Sequence, residues 1–327
     1  MEEQRENPAL RIIAEVKKAV IGKDECIVKT MTAVLAGGNI LLEDIPGVGK
    51  TTMALAFSRA MGLKENRIQF TPDVLPSDIT GFSMYKKETG TFEYQPGAAM
   101  CNLLLADEIN RTSPKTQSAL LQVMEEQKVT VDGITRPLPN PFIVIATQNP
   151  VGSAGTQLLP ESQLDRFMIC MSMGYPDMEY ELEIVKGKSR NDTAEKVEPV
   201  IGIGELLQMQ ERVREIFIHD ALYRYIGELV QATRNHPMVE LGVSPRGTIA
   251  AARMVQALAY LRGRSYVVPE DVTDIFADVT AHRIRLNSRA RVNHVTARSV
   301  VEEILGRIPR PTVRSCLLYT SDAADEL

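Results

Sequence analysis

The chain has 327 residues, 44% hydrophobic and 24% charged, with 37 Lys plus Arg against 42 Asp plus Glu and a formal net charge of -5. This is the composition of a soluble globular protein of about two domains, and it excludes a largely disordered, collagen-like or mucin-like chain. The acidic balance argues against a broad nucleic-acid surface, though a local basic pore is compatible with it.

The opening MEEQRENPALRII has no basic segment leading into an apolar one, so no signal peptide is expected. No apolar stretch reaches the roughly 18 residues of a membrane span. Segments 8–20 and 25–36 read as amphipathic helices, the second with Ile27, Val28, Met31, Val34 and Leu35 at helical spacing and Gly37-Gly38 as its stop. Residues 39–43 predict a buried strand, 44–49 a Pro/Gly loop and 50–61 a helix. Further strands are predicted over 67–70, 103–106, 142–147 and 167–171, with a helix over 113–126 whose Pro114 suits a first turn. Short apolar strands alternating with helices predict a parallel sheet of the α/β class, covered on both faces.

Two segments interrupt this rhythm. Residues 82–99 carry Thr89-Gly90-Thr91 followed by Phe92, Tyr94 and Pro96, and residues 128–138 carry Asp132-Gly133. Each predicts an inserted β-hairpin. After Pro176 no strand–turn–helix unit follows. A polar helix is expected over 179–190, a linker over 191–199, and helices near 202–214, 221–235, 246–262, 270–283 and 296–305, making a small all-helical second domain. Pro309 and Pro311 end the last helix. The run CLLYTSDAADEL resembles adapter read-through at a truncated open frame, so 311–327 is expected to be non-native or disordered. The four cysteines, Cys26, Cys101, Cys170 and Cys316, form no CxxC pair, which argues against a zinc site or disulfide framework and for a reducing compartment. The expected location is the cytoplasm.

The chemistry is concentrated at strand ends. In Leu41-Leu42-Glu43-Asp44-Ile45-Pro46-Gly47-Val48-Gly49-Lys50-Thr51-Thr52, an apolar strand runs through a glycine loop into a helix, the setting of a phosphate-binding P-loop. Gly47 and Gly49 would let backbone N–H groups turn around phosphate oxygens, and the helix start would face the same anion. Lys50 would reach the β- and γ-phosphates, and Thr51 would offer its hydroxyl to Mg²⁺. Asp44 stands where the GxxxxGK[ST] pattern has its first glycine, which leaves a plain glycine turn with a solvent lysine as the alternative. Leu103-Leu104-Leu105-Ala106-Asp107-Glu108 is a buried strand ending in two acids, costly unless something binds them. In an NTPase Asp107 would hold Mg²⁺ and Glu108 would take the proton of the attacking water; otherwise Asp107 caps a helix. Asn149, after the strand over 142–147, could orient that water, although Asn149-Pro150 alone is a turn signal.

Together with IQFTPDVLPSDITG, LLLADEINRTSPKTQSALLQVMEE, ATQNP, LPESQLDRF and GVSPRG, these elements resemble the AAA+ ATPases and, within them, the MoxR family, over about residues 8–310. The resemblance implies a P-loop NTPase core at 1–178 with a five-stranded parallel sheet in the order 5-1-4-3-2 and two hairpin inserts. It implies a linker at 179–200 and a helical lid at 201–310. It implies ATP and Mg²⁺ as cofactors. Pro46, Gly47, Val48, Gly49, Lys50, Thr51 and Thr52 would hold phosphate, with Val20, Ile21 and Gly22 at adenine. Thr51 and Asp107 would face the metal. Glu108 would be the base, Asn149 sensor 1, Arg166 the arginine finger completing a neighbour's site, and Arg246 sensor 2 in the lid. It further implies a homo-oligomer, a hexameric ring, acting as a chaperone on client protein complexes, associated with metal cofactor insertion and with a partner bearing a von Willebrand factor A domain. A nucleic-acid-translocating ring ATPase and a nucleotide-dependent scaffold without turnover are the competing classes; the lack of a recognisable DNA-binding module weighs against the first. The aromatic residues Phe92 and Tyr94 either meet a client in the ring pore or pack on the core.

Overall fold

The structure, a computed structural model, describes residues 7–44, 49–149, 159–175, 178, 182 and 196–312. All but one residue of the helix expected over 179–190, most of the linker and nearly all of the tail lie outside the described residues.

Five parallel strands form the central sheet: β1 (Ile40–Glu43), β2 (Glu65–Gln69), β5 (Leu103–Asp107), β8 (Ile143–Gln148) and β9 (Ile169–Met171), in the order β2-β5-β8-β1-β9. Numbering only these five strands, that is the expected 5-1-4-3-2. Leu104 sits opposite Val144, and Leu41 opposite Ala146 and Cys170, so the strand ends come level. Alternate residues of each strand enter two different apolar clusters. Ile40, Leu42, Leu103, Leu105, Ile143 and Ile145 face one side, and Leu41, Leu104, Ala106, Val144 and Ala146 the other. Both faces are covered, which is why these strands read as unbroken apolar runs. The edge strand β2 is different. Its sequence ENRIQ is polar and it pairs only with β5, so it begins two residues earlier than its short apolar signal suggested.

Helices α1 (Pro8–Ala19), α2 (Asp24–Leu35) and α3 (Lys50–Ala60) pack on the first face together with the C-terminal helices α7 (Ile203–Arg214), α8 (Asp220–Arg234), α9 (Pro245–Leu261), α10 (Pro269–Thr280) and α12 (Ala297–Arg307). Helix α5 (Pro114–Glu126) covers the second face. The starts follow local chemistry. Asn7, Ser113, Ser244 and Thr296 each accept a backbone N–H with the side chain, and a proline opens α1, α5 and α9. Two short helices, α4 (Pro76–Thr80) and α6 (Glu161–Leu164), precede the first hairpin and β9, and α11 (Ser288–Val292) lies in the C-terminal region. That region is helical as expected, with one addition. A ribbon of β10 (Val239–Leu241) and β11 (Arg285–Leu286) pairs antiparallel there, its strands too short to show a period in sequence.

Both inserts are hairpins, β3 (Phe82–Lys86) with β4 (Thr91–Gln95) and β6 (Lys128–Val131) with β7 (Ile134–Pro137). The two aromatic residues singled out in the first hairpin part company. Tyr94 is half-buried, donates its hydroxyl to the Thr80 carbonyl at 2.6 Å and lies under the Arg136 guanidinium at 4.1 Å, which ties the hairpins together. Phe92 is 73% exposed and pairs with Tyr85, ring centroids 5.3 Å apart. The exposed aromatic pair is therefore Tyr85 with Phe92, because Tyr94 has a hydrogen bond and a cation to satisfy on the protein itself.

Candidate nucleotide site and its remote arginines

The C-terminal ends of β1, β5 and β8 lie side by side. Beyond β1 the chain reaches Asp44, whose buried carboxylate accepts hydrogen bonds from Ser172 Oγ at 2.6 Å, Met173 N at 2.5 Å and Gly174 N at 3.2 Å. This explains the departure from the P-loop pattern: the side chain binds the loop start to the segment leaving β9. Ile45, Pro46, Gly47 and Val48 lie outside the described residues. Gly49 opens α3 with φ +96°, a conformation that strains any L side chain. Lys50 follows, donating from Nζ to the Asp44 carbonyl at 2.8 Å. Burial pushes its ammonium below the usual lysine range, while Asp44, Asp107 and Glu108 act in the opposite direction. Lys50 is thus grouped with both strand-end acids. Thr51 and Thr52 occupy the first turn of α3, Thr52 buried.

Asp107 is buried and does not cap a helix. Its Oδ2 accepts from Arg67 Nε of β2 at 2.8 Å and its Oδ1 from Thr147 Oγ1 of β8 at 3.2 Å. The same Thr147 oxygen accepts the Glu108 N–H at 2.9 Å. Glu108 has φ 55° and ψ 48°, a left-handed conformation uncommon outside glycine, and its carboxylate meets Arg111 Nη1 at 2.7 Å. Asn110 donates to the Asn149 carbonyl at 3.1 Å, which brings the loop after β8 against the loop after β5. Gln148 donates to Glu43 across the β1–β8 pair. Thr147, Arg67, Arg111 and Asn110 were not singled out from sequence; Thr147 lies within the quoted ATQNP run and Asn110 and Arg111 within LLLADEINRTSPKTQSALLQVMEE, while nothing local marks Arg67.

The segment Val20, Ile21, Gly22 turns between α1 and α2, with Val20 buried and Ile21 exposed. Just beyond it, Lys23 Nζ donates to the carbonyls of Gly174 at 3.3 Å and Tyr175 at 2.6 Å, and Cys26 Sγ to that of Ser172 at 3.4 Å. The turn therefore leans on the segment that Asp44 holds. A recess of about 390 Å³ belongs to a different region, whereas here a cavity of about 360 Å³ is lined by Gly22, Cys26, Ser172 and Met173 and, from the C-terminal helices, Asp278 and Arg298.

Arg166 and Arg246 lie elsewhere. Arg166 precedes β9, and Met168 N bonds to the carbonyl of Asn39, the residue before β1. Asn39 and Asp44 mark opposite ends of β1, about 16 Å apart at roughly 3.3 Å per residue. Arg166 Nε donates to Glu125 Oε2 at 2.9 Å and Nη1 to the Ser162 carbonyl at 3.0 Å; Arg246 Nη2 donates to Glu125 Oε1 at 2.5 Å. The structure thus brings Arg166 and Arg246 together, and brings neither to Lys50. A second clamp backs them. Asp165 accepts from Ser244 Oγ at 2.9 and 3.0 Å and from the buried Arg283 at 3.0 Å, fastening the turn before β9 to the start of α9.

The donor set near Lys50 suits Mg²⁺. The Thr51 hydroxyl and the Asp107 carboxylate offer hard oxygen atoms, the kind that Mg²⁺ prefers. Among the described residues no group of three or more His, Cys, Asp or Glu side chains could cage a metal. A small cation sharing one or two protein oxygens with phosphate and water fits this arrangement.

Comparison with known proteins agrees. The sequence model for the ATPase family associated with various cellular activities (AAA) matches residues 39–169, and that for the AAA lid domain residues 231–304. A Mycobacterium tuberculosis relative named Chaperone MoxR1 is 38% identical over 93% of this chain and 83% of its own. The chain belongs to the MoxR family of AAA+ ATPases. A further family-like match is an uncharacterized Bacillus subtilis protein named YeaC, 46% identical over 94% of this chain and 96% of its own. The crystal structure of a candidate ATPase from Cytophaga hutchinsonii superposes with a TM-score of 0.87 at 38% identity, covering 94% and 96% of the two chains. The two models fall on the sheet and on the C-terminal helices, and as in other AAA+ ATPases the family relation implies nucleotide binding. Among the described residues no helix is long and apolar enough to cross a membrane.

Proposed function

We propose that this chain is a cytoplasmic Mg²⁺-dependent ATPase that works as a homo-oligomeric ring, and that each hydrolysis site is shared between neighbours. The observation that carries the reading is the separation just described: Lys50, Asp107 and Glu108 gather at one end of the sheet, while Arg166 and Arg246 share a carboxylate at the other. An arginine that cannot reach its own P-loop suits a site made with the adjacent copy.

In this reading residues 1–178 form the ATPase core and 201–310 the lid, joined by 179–200. Pro46 to Thr52 hold the phosphates, with Val20, Ile21 and Gly22 at adenine. Thr51 and Asp107 would hold Mg²⁺, which would supply positive charge to offset that of the phosphates. Glu108 takes a proton from water as the water oxygen bonds to the γ-phosphorus and the bond to the β,γ-bridging oxygen breaks, giving ADP and phosphate; Asn149 orients that water. Arg166 and Arg246 of the adjacent copy stabilise the charge that spreads over the γ-oxygens. The ring is a hexamer that remodels or assembles client protein complexes as a chaperone, with a von Willebrand factor A domain protein as partner and metal cofactor insertion among its tasks.

The test mixes two inactive variants, Lys50→Ala and Arg166→Ala. Some interfaces in mixed rings pair an intact P-loop with an intact finger, so activity is expected above the sum of the separate variants. Mixed rings verified by mass that show no recovery at any ratio overturn the shared site.

A further inference from the structure

We infer that Glu125 is a positioning residue for the shared site, gathering the core's Arg166 and the lid's Arg246 into one cationic unit that is presented to the neighbouring copy. The inference rests on the reading of those two arginines given above and assigns a role to a residue outside it. Glu125 lies near the end of α5, on neither the P-loop nor the lid. Its two oxygens are divided, Oε2 to Arg166 and Oε1 to Arg246. The single carboxylate therefore spans core and lid, residues 41 and 121 positions away in sequence.

Surface ion pairs of this kind contribute little to stability, and Glu125 is 44% exposed. What the carboxylate contributes is geometry. Arg166, Arg246, Arg253 and Arg283 line one cavity of about 390 Å³, with Glu125 and Asp165 as the acids among its lining residues. Asp165 is already engaged by Arg283 and Ser244. Without Glu125 the two arginines repel one another across the cavity, and the side chain that joins α5 to α9 is gone. The bonds to Glu125 use Nε of Arg166 and Nη2 of Arg246, and Ser162 takes Nη1 of Arg166. The remaining N–H groups are left to meet phosphate oxygens, so holding and catalysing are compatible. The hydrogen bond from Arg166 keeps the Glu125 carboxyl below its usual range against the opposing effect of burial, with the Arg246 charge acting in the same direction as Arg166.

The experiment uses full-length Glu125→Ala and Glu125→Gln. Both are expected to melt near the wild type and to bind ATP with a Kd within about twofold of it. Turnover is expected to fall about 10–100-fold in kcat with little change in KM, the scale of a misplaced catalytic group, with Gln less affected because it keeps one acceptor. In mixed rings Glu125→Ala should recover activity with Lys50→Ala, whose finger is intact, and not with Arg166→Ala, whose defect lies on the same side of the interface. Lys50→Ala with Arg166→Ala is the control. If the control fails, the shared-site reading is wrong. If the control succeeds and both Glu125 variants turn over at the wild-type rate or faster, lose ATP affinity, complement Arg166→Ala, or fail to complement Lys50→Ala, Glu125 does not position the pair.

Discussion

Removing the hydroxyl of Thr147 separates the contribution of the second strand from that of the acids it touches. The oxygen is almost fully enclosed, donates to Asp107 and accepts the N–H of Glu108, which is held with φ 55°. Thr147→Val keeps the shape and deletes both bonds. The Glu108 N–H then has no acceptor, a loss of about 1–3 kcal/mol for a buried donor, and a bond to a charged partner contributes about 1.5–3 kcal/mol. Asp107 keeps Arg67, which lessens the second loss, so about 2–4 kcal/mol is expected in all. For a chain of this size that lowers Tm by roughly 3–6 °C. Turnover should fall about 10–100-fold, because the peptide that carries the proposed base is no longer fixed. Thr147→Ser keeps the hydroxyl and should stay within about 2 °C and a few-fold of the wild type. The assay is thermal unfolding beside steady-state phosphate release. Thr147→Val melting and turning over as the wild type does would refute the reasoning.

Asp44→Gly restores the consensus P-loop glycine yet should destabilise the protein by about 2–4 kcal/mol in denaturant unfolding, since three hydrogen bonds to a buried carboxylate are lost; unchanged stability would remove the structural reason for Asp44. Glu108→Gln should bind ATP and lose about 10²–10⁴-fold in turnover, and a loss below about threefold in phosphate release would exclude Glu108 as the base. Replacing Tyr85 and Phe92 together by Ser should leave Tm and basal ATPase unchanged, because the pair is exposed, whereas Tyr94→Phe should lower Tm by removing the bond to Thr80; the reverse order in a melting series would contradict the division between them.

Much of the architecture was legible because it is local. Apolar runs buried on both faces announced β1, β5 and β8, and Gly49-Lys50-Thr51 after such a run announced the helix start. What escaped reading depends on contacts between distant positions. Asp44 breaks the motif locally and is explained only by Ser172, Met173 and Gly174, 128 to 130 residues away. Thr147 is an ordinary β-branched strand residue until the β5–β8 pairing sets it beside Asp107. Glu125 looks like any solvent-facing helix glutamate, and only the fold brings Arg166 and Arg246 to its two oxygens. Period-two spacing made Phe92 and Tyr94 look equivalent, and the second hairpin separates them by placing Arg136 over Tyr94 alone.

The central claim is that hydrolysis needs two copies of the chain. The most direct measurement follows specific ATPase activity over a dilution series while the mass distribution is recorded on the same samples. Activity per chain is expected to rise with concentration in step with the ring fraction and to vanish where only monomer remains, since dilution separates each P-loop from the Arg166 of its neighbour. Activity per chain that is constant down to a demonstrably monomeric sample would contradict the shared site.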